Sequence, residues 1–224
     1  MIGAGAVAEF SILTVCTGNI HRSPLAAALL GTWAEWYLPP AVADTVRVGS
    51  AGLAAPVGSP MGARVQRIAA ALGADGSAHL ASQITDQRIA ESGLVLVATR
   101  RQRDEVLGRV PAALRKTFTI REAGRIASRL TPPTGPRTGS DLAAIVAKLA
   151  DQRATPAAPD DDDVLDPQGL GDEAYAQMAG EEIAPLVHLA TVLFGMPPGD
   201  ERAYLAAAED PAALLAASPD RPAS

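Results

Sequence analysis

Short apolar runs alternate with longer stretches of helical periodicity along the chain. Residues 94–98 (LVLVA) are wholly apolar and predict a strand that is buried on both faces. The other runs that predict strands are residues 10–15, 45–48 and 118–120. Strands separated by helical stretches favour parallel pairing, because each connection then returns across a face of the sheet. The pattern therefore predicts an α/β fold in which helices flank a four-stranded parallel sheet.

Helical periodicity fills most of the intervals between these runs. Residues 24–38 begin with proline, which favours the first turn of a helix, and residues 61–72 end at Gly73, which favours a C-cap. Further helices are predicted at residues 100–107, 121–130, 141–152 and 172–194. Residues 131–140 and 154–163 are rich in proline, glycine or aspartate and are predicted to form loops.

The length of 224 residues suits one domain with additions at its ends. We expect the domain to span residues 9–196 and to follow an N-terminal extension at residues 1–8. Residues 197–224 are rich in proline, alanine and acidic residues. Such a composition predicts a weakly ordered C-terminal tail with one or two helical turns.

Acidic residues outnumber basic residues by 25 to 19, and the formal net charge is −6. A net anion is not attracted to nucleic acid or to an anionic membrane, so we expect neither as a partner. No apolar run is long enough to cross a bilayer, and the first seven residues lack the basic residue of a secretory leader. The single cysteine excludes an intrachain disulfide, which is consistent with a cytoplasmic location. The oligomeric state is left open.

The only cysteine lies where the first predicted strand ends, in the sequence Cys16-Thr-Gly-Asn-Ile-His-Arg22-Ser-Pro. Backbone amides at the start of a helix are unpaired and attract anions. Gly18 and Asn19 tolerate the backbone geometry that lets such amides converge on one point. The residues that would surround a bound oxyanion there are Thr17, Gly18, Asn19, Ile20, His21 and Arg22.

Three side chains of this segment have complementary roles in phosphoryl transfer. Cys16 would lie beneath the anion as a thiolate, because the amides and the guanidinium favour negative charge on sulfur. Arg22 has the planar fork that holds two phosphate oxygens, and Ser23 can donate its hydroxyl to the sulfur. The segment therefore predicts phosphoryl transfer through a phosphocysteine, with no metal ion or cofactor. A buried structural cysteine beside a surface arginine is the simpler alternative.

The segment that begins at Cys16 resembles the phosphate-binding loop of the low-molecular-weight protein tyrosine phosphatases, in which cysteine, five residues, arginine and serine follow one another. The resemblance covers roughly residues 11–194, with an insertion at residues 131–158. It implies the three-layer α/β/α fold of the phosphotyrosine protein phosphatase I type. It also implies a phosphatase whose partners are phosphorylated proteins or small phosphate esters, in particular phosphotyrosyl or aryl phosphate monoesters.

The resemblance implies roles for three residues outside the loop. Ser50 would support the loop asparagine, and His79 would join the same hydrogen-bond network, although a turn serine and a surface histidine are the alternatives. Asp166 precedes Pro167, as the general acid of the family precedes a proline. It would protonate the leaving oxygen and later act as the base on water. His188 is most simply a residue of the last long helix.

The chain departs from the family pattern at three places. Gln168 and Gly169 follow the Asp-Pro pair, where two aromatic residues commonly line the slot for a phenyl ring. His21 stands where many relatives have a second cysteine, so Cys16 has no neighbouring thiol with which to form a protective disulfide. Gly93 stands where relatives often have an aspartate that anchors the third strand.

Two other functions remain open at this point. Arsenate fits the same kind of oxyanion loop, so a reductase that couples one cysteine to a small external thiol is an alternative. A weakly active phosphate-binding module is another alternative, because the predicted pocket lacks aromatic side chains after the Asp-Pro pair. The joint presence of Cys16, Arg22, Ser23 and Asp166 favours catalysis over binding alone.

Overall fold

The computed structural model describes residues 10–135, 137–153 and 162–216. Its sheet has four parallel strands in the order β2-β1-β3-β4. Their bounds are β1 (Phe10–Cys16), β2 (Val46–Gly52), β3 (Leu94–Val97) and β4 (Thr117–Thr119). The predicted fold class is confirmed. The strand boundaries differ from those predicted by no more than four residues. The predicted extension at residues 1–8 and most of the predicted loop at 154–163 lie outside the described residues.

Ten helices connect and follow the strands in the described part of the chain. Those that sequence periodicity predicted are α1 (Arg22–Tyr37), α3 (Ala63–Ala71), α5 (Arg100–Arg109), α6 (Ile120–Ala127), α7 (Gly139–Gln152) and α8 (Asp172–Phe194). The others are α2 (Pro40–Ala43), α4 (Asp86–Glu91), α9 (Pro198–Glu209) and α10 (Pro211–Ala216). A 3₁₀ turn, Pro111–Lys116, precedes β4. No described helix combines the length and the apolarity needed to cross a membrane.

Two hydrophobic cores lie on opposite faces of the sheet. Ile12, Leu94 and Leu96 point into the larger core, which α1, α3, α6, α7 and α8 complete. Leu13 and Val95 point into the smaller core, with residues of α4 and α5. Because neighbouring side chains of a strand point to opposite faces, the wholly apolar β3 contributes to both cores. The three-layer α/β/α arrangement is therefore confirmed.

The carboxyl ends of β1 and β2 meet at Cys16 and Gly52. A Cβ atom at Gly52 would lie 2.6 Å from the backbone oxygen of Thr17, so only glycine permits this approach. β1 also has β3 on its other side, so the segment that leaves β1 emerges between two neighbouring strands. In open parallel sheets a ligand crevice forms at such a point, where the chain connections diverge.

Gly93 stands where relatives often have an aspartate that anchors the third strand, and here the glycine has a role in packing. A Cβ atom at Gly93 would lie 2.6 Å from the Phe10 ring. The glycine therefore makes room for the aromatic side chain that begins β1, whose ring is buried in the larger core. Aromatic packing takes the place of a polar anchor at the head of β3.

The C-terminal region differs from the weakly ordered tail that composition predicted. Helices α9 and α10 cover residues 198–216, and both pack against α8. Leu214 and Leu215 are buried, and the Tyr204 ring contacts the buried Trp33 ring edge-on at 5.0 Å. The apolar residues among the alanines and prolines extend the larger core and provide the burial that orders these helices. Residues 217–224 lie outside the described range.

Candidate active site

The chain between β1 and α1 folds around the Cys16 sulfur. Asn19 has a φ of 55°, and it is the only non-glycine residue with a positive φ in the described part of the chain. Its backbone N–H donates to Cys16 Sγ over 3.2 Å. Asparagine tolerates this left-handed conformation better than most residues, which explains its presence at the turn. The strained backbone of Asn19 therefore lies next to the sulfur and directs the Asn19 N–H towards it.

Three contacts hold Asn19 in this conformation. The Ser82 backbone N–H donates to Asn19 Oδ1 over 2.9 Å, and Asn19 Nδ2 donates to Ser23 Oγ over 3.0 Å. His79 Nε2 lies 2.8 Å from the Asn19 carbonyl oxygen. The structure thus places His79 in the network that the resemblance implied for it.

Ser50 lies one contact further from Asn19 than the sequence suggested. Its carbonyl oxygen accepts hydrogen bonds from Ser82 Oγ at 3.1 Å and from an Arg88 guanidinium nitrogen at 2.9 Å. Arg88 also donates to Ser82 Oγ over 2.9 Å. Ser82, rather than Ser50, therefore makes the direct contact with the asparagine, and the predicted role of Ser50 is indirect. The residue pattern around Ser82 contains no signal that would have distinguished it from a surface serine.

Ser23 connects the strained turn to the sulfur. Cys16 Sγ lies 3.0 Å from Ser23 Oγ, and both residues are almost fully buried. Because Asn19 Nδ2 already donates to Ser23 Oγ, the serine proton is directed elsewhere, and the sulfur is the nearer of its two remaining acceptors. Two polar groups, the Asn19 amide and the Ser23 hydroxyl, therefore converge on the sulfur.

Arg22 joins the loop to a segment that lies far along the chain. Its guanidinium donates to the Val164 carbonyl oxygen over 3.1 Å and to Asp166 Oδ2 over 2.5 Å. Arg22 is buried, whereas the Asp166 side chain is 48% exposed. The structure thus brings together two predicted site residues that are 144 positions apart.

A cavity of about 470 Å³ opens over the loop. The lining residues are Cys16, Thr17, Gly18, Ile20, His21, Arg22, Pro56, Ser59, Pro60, Asp166 and Gln168. Phenylalanine, tyrosine and tryptophan are absent from this set, so the described walls of the cavity are aliphatic and polar. All the predicted members of the oxyanion loop except the buried Asn19 reach the cavity.

The segment that carries Asp166 is anchored by contacts that sequence reasoning missed. The Val164 N–H donates to the Ala98 carbonyl at the end of β3 over 2.8 Å. Asp162 is buried, and Arg125 approaches both of its carboxylate oxygens at 3.1 Å. Asp163 accepts from the Arg100 N–H at the start of α5 over 2.7 Å. Asp162 therefore forms an internal ion pair, and Asp163 caps the start of a helix.

Gln102 is a further residue that the sequence did not indicate. It is buried, and its Nε2 donates to Thr17 Oγ1 over 3.1 Å. Its Oε1 accepts from the N–H groups of Ala98 and Thr99, at 3.0 and 3.1 Å. One side chain thus ties the first loop residue after the cysteine to the end of β3. The only sequence signal is the spacing of Thr99 and Gln102, which is typical of a capping box.

Glu182 of α8 is fully buried near Arg22. Neither of its carboxylate oxygens has a hydrogen-bond partner among the described residues, and the same holds for Arg22 Nε. Burial raises the pKa of Glu182 well above its usual value, and the charge of Arg22 only partly opposes that effect. The carboxyl group is therefore disposed to remain protonated where an exposed glutamate would ionise.

Replacement of Glu182 by glutamine or leucine is expected to stabilise the fold increasingly as the pH rises. The unfolded chain releases the Glu182 proton near pH 4.5, whereas the folded chain retains it to higher pH, so the wild type loses stability between those two pKa values. At pH 7.5 the gain should be about 1–3 kcal/mol in the free energy of unfolding, and it should shrink near pH 4. Urea denaturation at both pH values measures the effect.

The exposed Glu173, on the same helix, provides the control for this experiment, because its replacement by glutamine should show no such pH-dependent gain. A loss of stability in Glu182→Leu and Glu182→Gln at both pH values would contradict the expectation. It would show that the ionised carboxylate is paired in solution and stabilises the fold.

Comparisons with known proteins agree with the geometry of the site. The family model for the low molecular weight phosphotyrosine protein phosphatases matches residues 11–126. A probable low molecular weight protein-tyrosine-phosphatase, EpsP, of Ralstonia nicotianae is 38% identical over 112 residues, which cover 50% of this chain and 71% of that protein. A protein-arginine-phosphatase of Geobacillus stearothermophilus is 37% identical over 113 residues, with 50% and 70% coverage.

Solved structures extend the similarity beyond the matched N-terminal half. The YwlE arginine phosphatase from Geobacillus stearothermophilus superposes with a TM-score of 0.55 at 29% identity, covering 81% of this chain and 90% of its own. The tyrosine phosphatase AmsI of Erwinia amylovora has the same fold, with a TM-score of 0.57 at 22% identity and coverages of 85% and 96%. The chain therefore belongs to the low molecular weight phosphotyrosine protein phosphatase family and is a phosphoric monoester hydrolase.

Proposed function

We propose that the protein is a cysteine-dependent phosphatase that hydrolyses phosphotyrosyl or small aryl phosphate monoesters through a phosphocysteine. The observation that carries this proposal is the convergence of Cys16, Arg22 and Asp166 on one cavity. The sulfur is buried beside the Ser23 hydroxyl and the Asn19 amide, and the guanidinium is paired with a half-exposed carboxyl group at the same cavity. These groups correspond to a nucleophile, an oxyanion clamp and a proton donor.

In the first step the Cys16 thiolate attacks phosphorus and the ester P–O bond breaks. The leaving oxygen takes the proton of the Asp166 carboxyl group, so that a neutral alcohol or phenol departs. The N–H groups of the loop and the Arg22 guanidinium hold the three phosphoryl oxygens as phosphorus inverts. Ser23 and Asn19 stabilise the sulfur before attack, because the Asn19 N–H donates to it and the Ser23 hydroxyl lies within hydrogen-bond distance and can donate to it.

In the second step water attacks the phosphocysteine and the S–P bond breaks. Asp166, now ionised, accepts a proton from this water, and inorganic phosphate forms. The departing sulfur returns to the position in which the Ser23 hydroxyl and the Asn19 amide stabilise its negative charge. The same carboxyl group therefore serves as acid and then as base.

The resting ion pair between Arg22 and Asp166 must open before this chemistry can begin. Substrate phosphate competes for the same guanidinium nitrogen that Asp166 occupies. Phosphate binding therefore frees both residues for their roles, the guanidinium for the phosphoryl oxygens and the carboxyl group for the leaving oxygen.

A phosphoarginyl protein is a second candidate substrate. An arginine phosphatase of Geobacillus stearothermophilus is found both by sequence, at 37% identity, and by structure, at 29% identity. The cavity walls contain no phenylalanine, tyrosine or tryptophan that would stack on a phenyl group. Arsenate reduction remains the alternative from another reaction class, and the membership in a phosphatase family argues against it.

A panel of substrates, assayed with methanol as a competitor of water for the phosphoryl group, tests the proposal. We expect release of phosphate from p-nitrophenyl phosphate and from a phosphotyrosyl peptide. A phosphoarginyl peptide tests the second candidate substrate, and arsenate with glutathione tests the reductase alternative. If a phosphocysteine is common to all aryl esters, the ratio of methyl phosphate to inorganic phosphate is independent of the leaving group. A ratio that changes with the leaving group, or arsenate turnover without ester hydrolysis, would contradict the proposal.

A further inference from the structure

His21 is a titratable member of the oxyanion loop, and its side chain has no role in the mechanism above. Its ring lies between the turn before α3 and the beginning of α8. A Cβ atom at Gly62 would approach the His21 ring to 2.8 Å, so glycine is needed to leave room for it. On the other side, the Tyr175 hydroxyl lies 3.1 Å from His21 Nε2, and the two rings meet edge-to-face at 5.3 Å.

The same residue also lines the candidate substrate cavity. His21 lines the cavity together with Arg22 and Asp166, although only 9% of the residue is exposed. Tyr175 thus fixes the imidazole beside the cavity at which Arg22 and Asp166 meet. An imidazole packed in this way is held in place and is still available to an anion bound in the pocket.

The charges around His21 are few and come from three neighbouring elements. Arg22 and Asp166 line the same cavity, and Arg64 of α3 lies over the Tyr175 ring at 5.1 Å while pairing with Asp172. Burial lowers the pKa of His21, the carboxylate of Asp166 opposes this change, and Arg22 adds to it. Because the net shift is downward, the resting imidazole is predominantly neutral at pH 7.

We propose that His21 is a second cation for the bound phosphate, neutral in the resting enzyme and protonated when a dianion enters the cavity. The proposal rests on the proposed function in one respect, namely that the cavity binds a phosphate group. A dianion brings two negative charges next to the ring and so favours the imidazolium. Substrate binding is then coupled to the uptake of a proton, and affinity for oxyanions increases as the pH falls towards 6.

The Tyr175 hydroxyl is suited to both charge states of the ring. It donates to Nε2 when the imidazole is neutral with its proton on Nδ1, and it accepts from Nε2–H once the ring is protonated. Rotation of the hydroxyl proton is the only rearrangement required. The pair can therefore change charge without moving the phosphate loop.

Sulfate is the probe for the test, because it keeps two negative charges across the relevant pH range and cannot be hydrolysed. Calorimetric titration in buffers of different ionisation enthalpy counts the protons taken up per sulfate bound. The experiment uses Cys16→Ser as the parent, since the thiolate could otherwise take up a proton itself. His21→Gln in that background keeps a hydrogen-bonding group near Tyr175 but cannot titrate. His188→Gln, on the far part of α8, is the matched control.

At pH 6.5 we expect the His21→Gln variant to take up fewer protons per sulfate than its parent, by about half a proton. The parent should also bind sulfate several-fold more tightly at pH 6 than at pH 7.5, with a flatter profile in the variant. Equal proton uptake and equal pH profiles in the two proteins would overturn the proposal and indicate a purely structural histidine. Absence of any sulfate binding to the parent would overturn the oxyanion site itself, and with it the proposed function.

Ring resonances of the wild-type protein provide a second measurement that needs no variant at position 21. The chain has three histidines, so their signals can be followed together by NMR. We expect sulfate to raise the pKa of His21 by about one unit or more and to leave the His188 signals unchanged. An unchanged His21 titration at saturating sulfate would overturn the proposal even if His21→Gln were unstable.

Discussion

Cys16→Ser is expected to lower kcat for p-nitrophenyl phosphate by at least about 10³-fold, because the hydroxyl is protonated and weakly nucleophilic where a thiolate would attack. The side chain has nearly the same shape, and its neighbours Ser23 and Asn19 can donate to either atom. The fold should therefore survive the change. Steady-state kinetics of the purified variant provide the measurement.

Binding and stability serve as the controls for the Cys16 variant. Sulfate should still bind, because the loop amides and Arg22 remain in place. The urea midpoint should stay close to that of the wild type, since a buried sulfur is replaced by an oxygen with the same donors. Residual activity above a tenth of the wild-type kcat would show that another group is the nucleophile.

Asp166→Asn is expected to show a loss of activity that depends on the leaving group. For phenyl or alkyl phosphates, whose leaving oxygen needs a proton, kcat/KM should fall by about 10²–10⁴-fold. For p-nitrophenyl phosphate, whose anion departs unaided, the loss should be smaller by at least about tenfold. A plot of rate against the pKa of the leaving group, measured for the wild type and the variant, shows the difference as a change of slope.

The same variant has a second readout, because Asp166 pairs with Arg22 in the resting structure. Without the carboxylate, the guanidinium is available to the anion, so sulfate should bind at least as tightly as to the wild type. Asp151→Asn is the matched control, since Asp151 is an exposed partner of Arg115 on another part of the surface. Equal losses for good and poor leaving groups would assign the proton transfer to a different residue.

Much of the fold could be predicted because its signals are local. The bounds of α8 were predicted without error, since apolar positions recur along it and Gly195 ends it in a left-handed conformation. β3 was recognised by its continuous apolar run. Helix α4, with six residues, is too short for periodicity to detect, and α9 and α10 depend on burial against α8.

The candidate site was predictable to the extent that it is continuous in sequence. Cys16, the oxyanion loop and Ser23 occupy eight consecutive residues whose backbone preferences can be read directly, and the Asp-Pro pair marks the position of Asp166. The supporting contacts could not be read in this way. Ser82, Gln102 and Tyr175 come from three separate parts of the chain, and each has a composition typical of ordinary surface or core positions.

The sequence by itself determined the α/β alternation and the single anion-binding turn with its cysteine and arginine, because backbone conformation depends chiefly on neighbouring residues. The tertiary structure alone decided which distant groups complete that turn. It brought Asp166 to Arg22, buried Glu182 behind the same guanidinium and fixed His21 against Tyr175. The physical reason is that the charge state and orientation of a side chain depend on what packs around it, and that packing exists only once the helices have docked on the sheet.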